Sequence, residues 1–179
     1  FHVERTSTKG GSIRAFAQPK STGKRPRSER YLKLVAEEQR RGITNLRIYR
    51  DWFEAIERRK RAVLAHLVRA HSEGKVIAAY GASTTTTTLL YHFELENRIA
   101  FIVDDNPLKQ GRFSPGAHIP VLAPDELVKR RPDIVVILAW IYAERVQERN
   151  VEYIRHGGTF LIPLPAPRTV DALGGSTLD

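Results

Sequence analysis

The sequence predicts an α/β chain: a Rossmann-like doubly wound parallel sheet, preceded by a β-hairpin and a long amphipathic helix. Three observations predict it. The apolar runs "VIAAYG", "IAFIVDD", "DIVVILAW" and "TFLIPL" are continuous rather than alternating, as strands covered on both faces are. Helical segments separate them, the pattern of a parallel sheet with crossover helices. Ahead of them, over residues 44–73, apolar residues recur mostly at steps of three and four, the period of a helix with one apolar face.

The elements follow in chain order. In residues 1–18, "HVERTST" and "SIRAFAQ" flank Lys9-Gly10-Gly11, and a glycine pair suits a hairpin turn. A lone hairpin is marginal in water, so this one is expected to join a sheet. Residues 19–28 are basic, carry two prolines and lack any large apolar side chain; they are expected to form a flexible loop. Residues 29–74 form a helical segment. Ser28 caps a first helix that runs to Arg41, with Tyr31, Leu32, Leu34 and Val35 as apolar positions and Gly42 at its end. A long helix starts at Thr44 or Asn45 and runs to Glu73, with Gly74 placed to stop it. Its apolar positions are Tyr49, Trp52, Phe53, Ile56, Val63, Leu64 and Leu67, with a gap around Arg59-Lys60. The run Arg58-Arg59-Lys60-Arg61 reads first as a solvated face. Residues 75–165 hold the Rossmann-like domain. Its four strands alternate with helices in "TTTTTLLYHFELE", "PDELVKRR" and "YAERVQERNVEYIRHG", and "HIPVLA" adds a short edge strand. Residues 166–179 read as a loose tail.

One stretch of this domain runs against local propensity. Five threonines, residues 84–88, stand where the first helix begins. Threonine costs up to ~0.7 kcal/mol per helical position relative to alanine, roughly 3 kcal/mol for five. Three effects offset this: a cap from Ser83 or Thr84, hydroxyls that bond back to carbonyls one turn earlier, and an anion at the helix start.

Composition bounds the function. Hydrophobic residues make up 41 % of 179, enough for a globular domain with a core. No apolar run approaches the ~18–20 residues of a membrane-spanning helix. Cysteine is absent, which removes disulfides and thiolate metal sites and fits a cytoplasmic protein. The net charge of +9 favours anionic partners: nucleotides, phosphorylated metabolites or nucleic acid.

Ligands of doubly wound sheets bind beyond the carboxyl ends of the strands. That rule selects residues 81–85, 104–112, 140–142 and 163–165. Gly81 allows close backbone approach, and Ser83 and Thr84 present hydroxyls and amides to a phosphate. Asp104 lies roughly where a ribose-binding acid belongs, some 20 positions after the first glycine. Asn106 shapes its loop, and Lys109 and Arg112 offer cations to a diphosphate. Trp140 and Tyr142 follow the most apolar strand. These nine are the candidate substrate-binding residues. The pattern G-x-G-x-x-G keeps only Gly81 of its three glycines, which argues against a dinucleotide. No catalytic or metal-binding constellation emerges. His2, His66, His71, His92, His118 and His156 are scattered, and H-E-x-x-H and G-x-S-x-G are absent.

"YGASTTTTTLL", "FIVDDNPLKQGRFSPGAHIPV", "PDIVVILAW" and "GGTFLIPLP" resemble, in that order, the C-terminal domain of S-adenosylmethionine-dependent sugar C-methyltransferases, which methylate a carbon of a keto-sugar carried by a nucleoside diphosphate. The resemblance implies three parts: a cysteine-rich zinc segment, a methyl-donor domain, and the part seen here. On that reading the hairpin marks the junction with the donor domain. S-adenosylmethionine binds in that domain, outside this chain, and so do most acid–base residues. The stretch in hand would then bind a nucleoside-diphosphate sugar and by itself transfer no methyl group. The sequence departs from the family at two points: Lys9 stands where a histidine usually precedes Gly-Gly-Ser, and Ile141 where asparagine often follows the tryptophan. The alternatives are a stand-alone Rossmann-type module for NAD(P) or coenzyme A, and a basic nucleic-acid-binding protein. The donor domain is an expected partner, and the 44–73 helix could pair with a second copy.

Overall fold

The computed structural model describes residues 1–178. The chain divides into two units, Phe1–Ala55 and the part from Ile56 onward, so the long helix belongs to both.

In the first unit, β1 (His2–Thr6) and β2 (Ser12–Phe16) form an antiparallel hairpin, with His2 opposite Phe16 and Thr6 opposite Ser12. Contrary to expectation, the hairpin joins no further strand among the described residues: the two strands make a sheet of their own. The 19–28 segment carries neither helix nor strand. Gln18 braces it by bonding both backbone groups of Arg25, at 2.7 and 3.1 Å. Helix α1 (Glu29–Arg41) starts at Ser28, whose hydroxyl accepts from the Tyr31 amide at 3.3 Å. It ends at Gly42 in the left-handed conformation, φ +71°, which glycine adopts without a Cβ penalty. Helix α2 (Leu46–Ser72) follows, and Asn45 accepts from the Arg47 amide at its start.

The second unit is built on an eight-stranded sheet. Its elements are β3 (Ile77–Tyr80), α3 (Thr84–His92), β4 (Ile102–Val103), β5 (Arg112–Phe113), β6 (Pro120–Leu122), α4 (Glu126–Arg130) and β7 (Ile134–Ile137). After a 3-10 turn at Trp140–Tyr142 come α5 (Ala143–Arg149), α6 (Val151–Arg155), β8 (Thr159–Ile162), β9 (Arg168–Asp171) and β10 (Gly174–Thr177). The parallel core runs β8-β7-β3-β4-β6. The chain progresses from β3 to β6, then returns to β7 beside β3. The switch point therefore lies between β3 and β7.

Alternate residues of each strand serve opposite faces. Ile77 and Ala79 join a core with Val63 and Leu67 of α2 and Leu89 and Leu90 of α3. Ala78 and Tyr80 join a core with Leu127, Val146 and Tyr153 of α4, α5 and α6. Both faces are covered, which explains the continuous apolar runs.

Four further expectations need correction. "HIPVLA" is not an edge strand: β6 lies between β4 and β5, and the edge is β5, antiparallel to it. The "YAERVQERNVEYIRHG" helix breaks in two at Asn150, whose side-chain amide donates to the Val146 carbonyl at 2.7 Å, a competing bond of the kind that interrupts helices. The tail is not loose: β9 pairs antiparallel with β8, Val170 opposite Phe160, and β10 pairs with β9. The basic run of α2 is only partly a solvated face: Arg59 donates to the Pro165 carbonyl and Lys60 to Glu94.

Candidate functional site

The β3–α3 turn is the centre of the carboxyl edge. The threonine run does form a helix, and the expected cap and hydroxyl back-bonds are both visible. Ser83 and Thr86 make a reciprocal capping box: the Ser83 hydroxyl accepts from the Thr86 amide, and the Thr86 hydroxyl oxygen accepts from the Ser83 amide at 2.6 Å. Thr87 donates back to the Ser83 carbonyl at 3.0 Å, and Thr88 to the Thr84 carbonyl at 3.3 Å. Each bond satisfies backbone that the helix start leaves open or anchors a hydroxyl that would otherwise compete for it.

Gly81 makes this turn possible. Its φ is +102°, and a Cβ there would lie 2.8 Å from the Ala139 Cβ. β3 and β7 thus pack backbone against side chain at the switch point.

Asp104 follows β4 directly and is buried. Its carboxylate accepts from the Ala82 amide at 2.7 Å, the Asn106 amide at 2.9 Å and the Lys109 ammonium at 3.1 Å. Its carbonyl takes the Gln110 side-chain amide. The acid therefore ties the β4 loop to the β3–α3 turn and fixes Lys109. Asn106 closes the loop by accepting from the Leu108 amide. Asp105 accepts from the Tyr80 hydroxyl at 2.7 Å and faces Arg149 at 3.4 Å. Burial, helped by the Asp105 carboxylate, pushes the Tyr80 hydroxyl up to about 12, so it remains a donor at neutral pH.

Three cavities line this edge. The first, about 450 Å³, is walled mainly by carbon from Leu90, Ile102, Phe113, Val121 and Leu138. Ser83, Thr84, Lys109 and Arg112 also line it. The second, about 390 Å³, is bounded by Tyr80, Gly81, Asp104, Asp105, Lys109 and α5. The third, about 450 Å³, lies at Trp140, Tyr142, Leu164 and Arg168. Of the nine sequence candidates, eight line one or more of these cavities; Asn106 lines none of the three. Phe113, Leu138, Arg145 and Arg149 were not foreseen. The four-residue spacing of the two arginines, which puts both on one helix face, was the signal available for them.

The fold defines a Rossmann-like α/β domain with cavities along the carboxyl edge of its sheet. Residues 7–165 match the family model of the C-methyltransferase C-terminal domain, and the chain belongs to that family. It is 36 % identical over 172 residues to the C-methyltransferase NovU of Streptomyces niveus, covering 95 % of this chain and 40 % of that protein. The chain thus spans less than half the length of that curated relative. No helix among the described residues is long and apolar enough to cross a membrane.

Proposed function

We propose that this chain supplies the acceptor-binding part of a C-methyltransferase, and that the acceptor is a nucleoside-diphosphate sugar. The observation that carries this reading is the first cavity: an apolar chamber at the carboxyl edge, bordered by Ser83, Thr84, Lys109 and Arg112. Such a site takes a largely apolar group while hydroxyls and cations hold a charged one beside it. Asp104 acts indirectly, by holding Lys109 and the Ala82 amide.

The methyl donor in this family's chemistry is S-adenosylmethionine. The residues here do not fit it. The acid that could receive a ribose already accepts from three donors of this chain. The same fact weighs against NAD(P), as does the single glycine of the G-x-G-x-x-G pattern. The donor is therefore assigned to a part of the parent protein outside this chain, and the chain alone is expected to bind without transferring.

Calorimetric titration with dTDP and UDP, with NAD as comparison, tests the reading. Saturable binding of a nucleoside diphosphate, weakened at least tenfold by Lys109→Ala, is expected. Tighter binding of NAD than of either diphosphate would overturn it.

A further inference from the structure

The second cavity has a different chemistry from the first. Arg145 and Arg149 enter it from α5, and Lys109 from the β4–β5 loop. One helical turn separates the two arginines, which puts both on the same face of α5. Arg145 has no charged partner among the described residues. Arg149 meets only Asp105, at 3.4 Å with both side chains about half exposed. That contact uses one of its five donors. Lys109 is held by Asp104 on one side and keeps further donors.

At the start of α3, next door, three of the amides are already taken. The Ala82 amide is taken by Asp104, the Ser83 amide by Thr86, and the Thr86 amide by Ser83. The first cavity is lined mostly by carbon, and a charge seated there away from Lys109 and Arg112 would be desolvated at high cost.

The cavities are neighbours that share walls. Ser83 and Lys109 line both the first and the second. Tyr142 and Arg145 line both the second and the third. The order along the edge is apolar chamber, cationic chamber, then the chamber at Trp140. A nucleoside-diphosphate sugar has the same order of chemistry: a bulky group, a doubly charged link, a bulky group.

We infer that Arg145 and Arg149, with Lys109, hold the diphosphate of the acceptor in the second cavity, so that its nucleoside and its sugar occupy the two flanking cavities. This rests on the acceptor reading above. Asp105 is the internal counter-ion that keeps Arg149 in place until the ligand's phosphates take over.

The test is calorimetry of the whole chain with dTDP and with thymidine, on the wild type, on Arg145→Gln/Arg149→Gln, and on Arg149→Lys. Both arginines are exposed, and thermal melting checks that the variants fold. The double variant is expected to lose dTDP affinity roughly 100-fold, the loss of two charge-assisted contacts, with thymidine affinity unchanged. Arg149→Lys, which keeps the charge and loses the fork, is expected to fall between. If the wild type binds dTDP and the double variant stays within about threefold, the arginine clamp is wrong and the acceptor reading stands. If the wild type binds no dTDP, both fail.

Discussion

Residues 1–55 contain no buried side chain, whereas the unit from Ile56 onward buries a core on each face of its sheet. The charge divides as unevenly. Thirteen of the 29 Lys and Arg and six of the 20 Asp and Glu fall in residues 1–55, so that stretch carries +7 of the chain's +9. The first unit is held by local devices: the Ser28 cap, the Arg5–Glu37 pair at 2.8 Å, and the Arg25 guanidinium 5.3 Å over the Phe1 ring. Exposed ion pairs are worth ~0–1 kcal/mol each, and a cap typically about 1 kcal/mol. The second unit draws on burial, the dominant favourable term in folding. The comparison teaches that one helix can belong to both regimes. In α2, Val63 and Leu67 are fully buried, while Leu46, Tyr49, Trp52 and Phe53 are more than half exposed.

The largest expected effect follows from that contrast within α2. Leu67→Ala should lower stability by about 2–5 kcal/mol, the usual cost of deleting a packed core leucine. Trp52→Ala should change it by no more than about 0.5 kcal/mol, as surface substitutions do. Urea unfolding of both variants checks this. Equal losses would mean that the first unit has a core of its own.

Smaller effects separate the two capped helices. Ser83→Ala and Ser28→Ala each remove a cap worth about 1 kcal/mol. In α3 the loss should appear in global unfolding, because Leu89 and Leu90 anchor that helix in a core. In α1, which buries no residue, it should appear as faster hydrogen exchange near the Tyr31 amide, with the global midpoint unmoved. A shared global loss would break the distinction.

What the sequence made legible was local or strongly periodic. Ser28, Gly42 and Ser83 announce helix ends by their own chemistry. The apolar strands announce burial by their length. The tail was not legible, because "RTVD" has one large apolar residue and lies among prolines and glycines. Its strand character comes from pairing with β8, which no local pattern carries. The break at Asn150 depends on one rotamer reaching Val146. The carboxyl-edge rule found eight cavity-lining residues, since topology places them. It missed Arg145 and Arg149 because they sit on a helix face, one or two turns past the strand end.

The central claim is that the carboxyl edge of the second unit is the ligand site. Backbone amide shifts of the labelled chain, followed by NMR while dTDP is added, test it most directly. The account predicts saturating shifts in residues 82–87, 109–114 and 139–149, with residues 1–55 unmoved. Shifts confined to residues 1–55, or none at saturating dTDP, would contradict it.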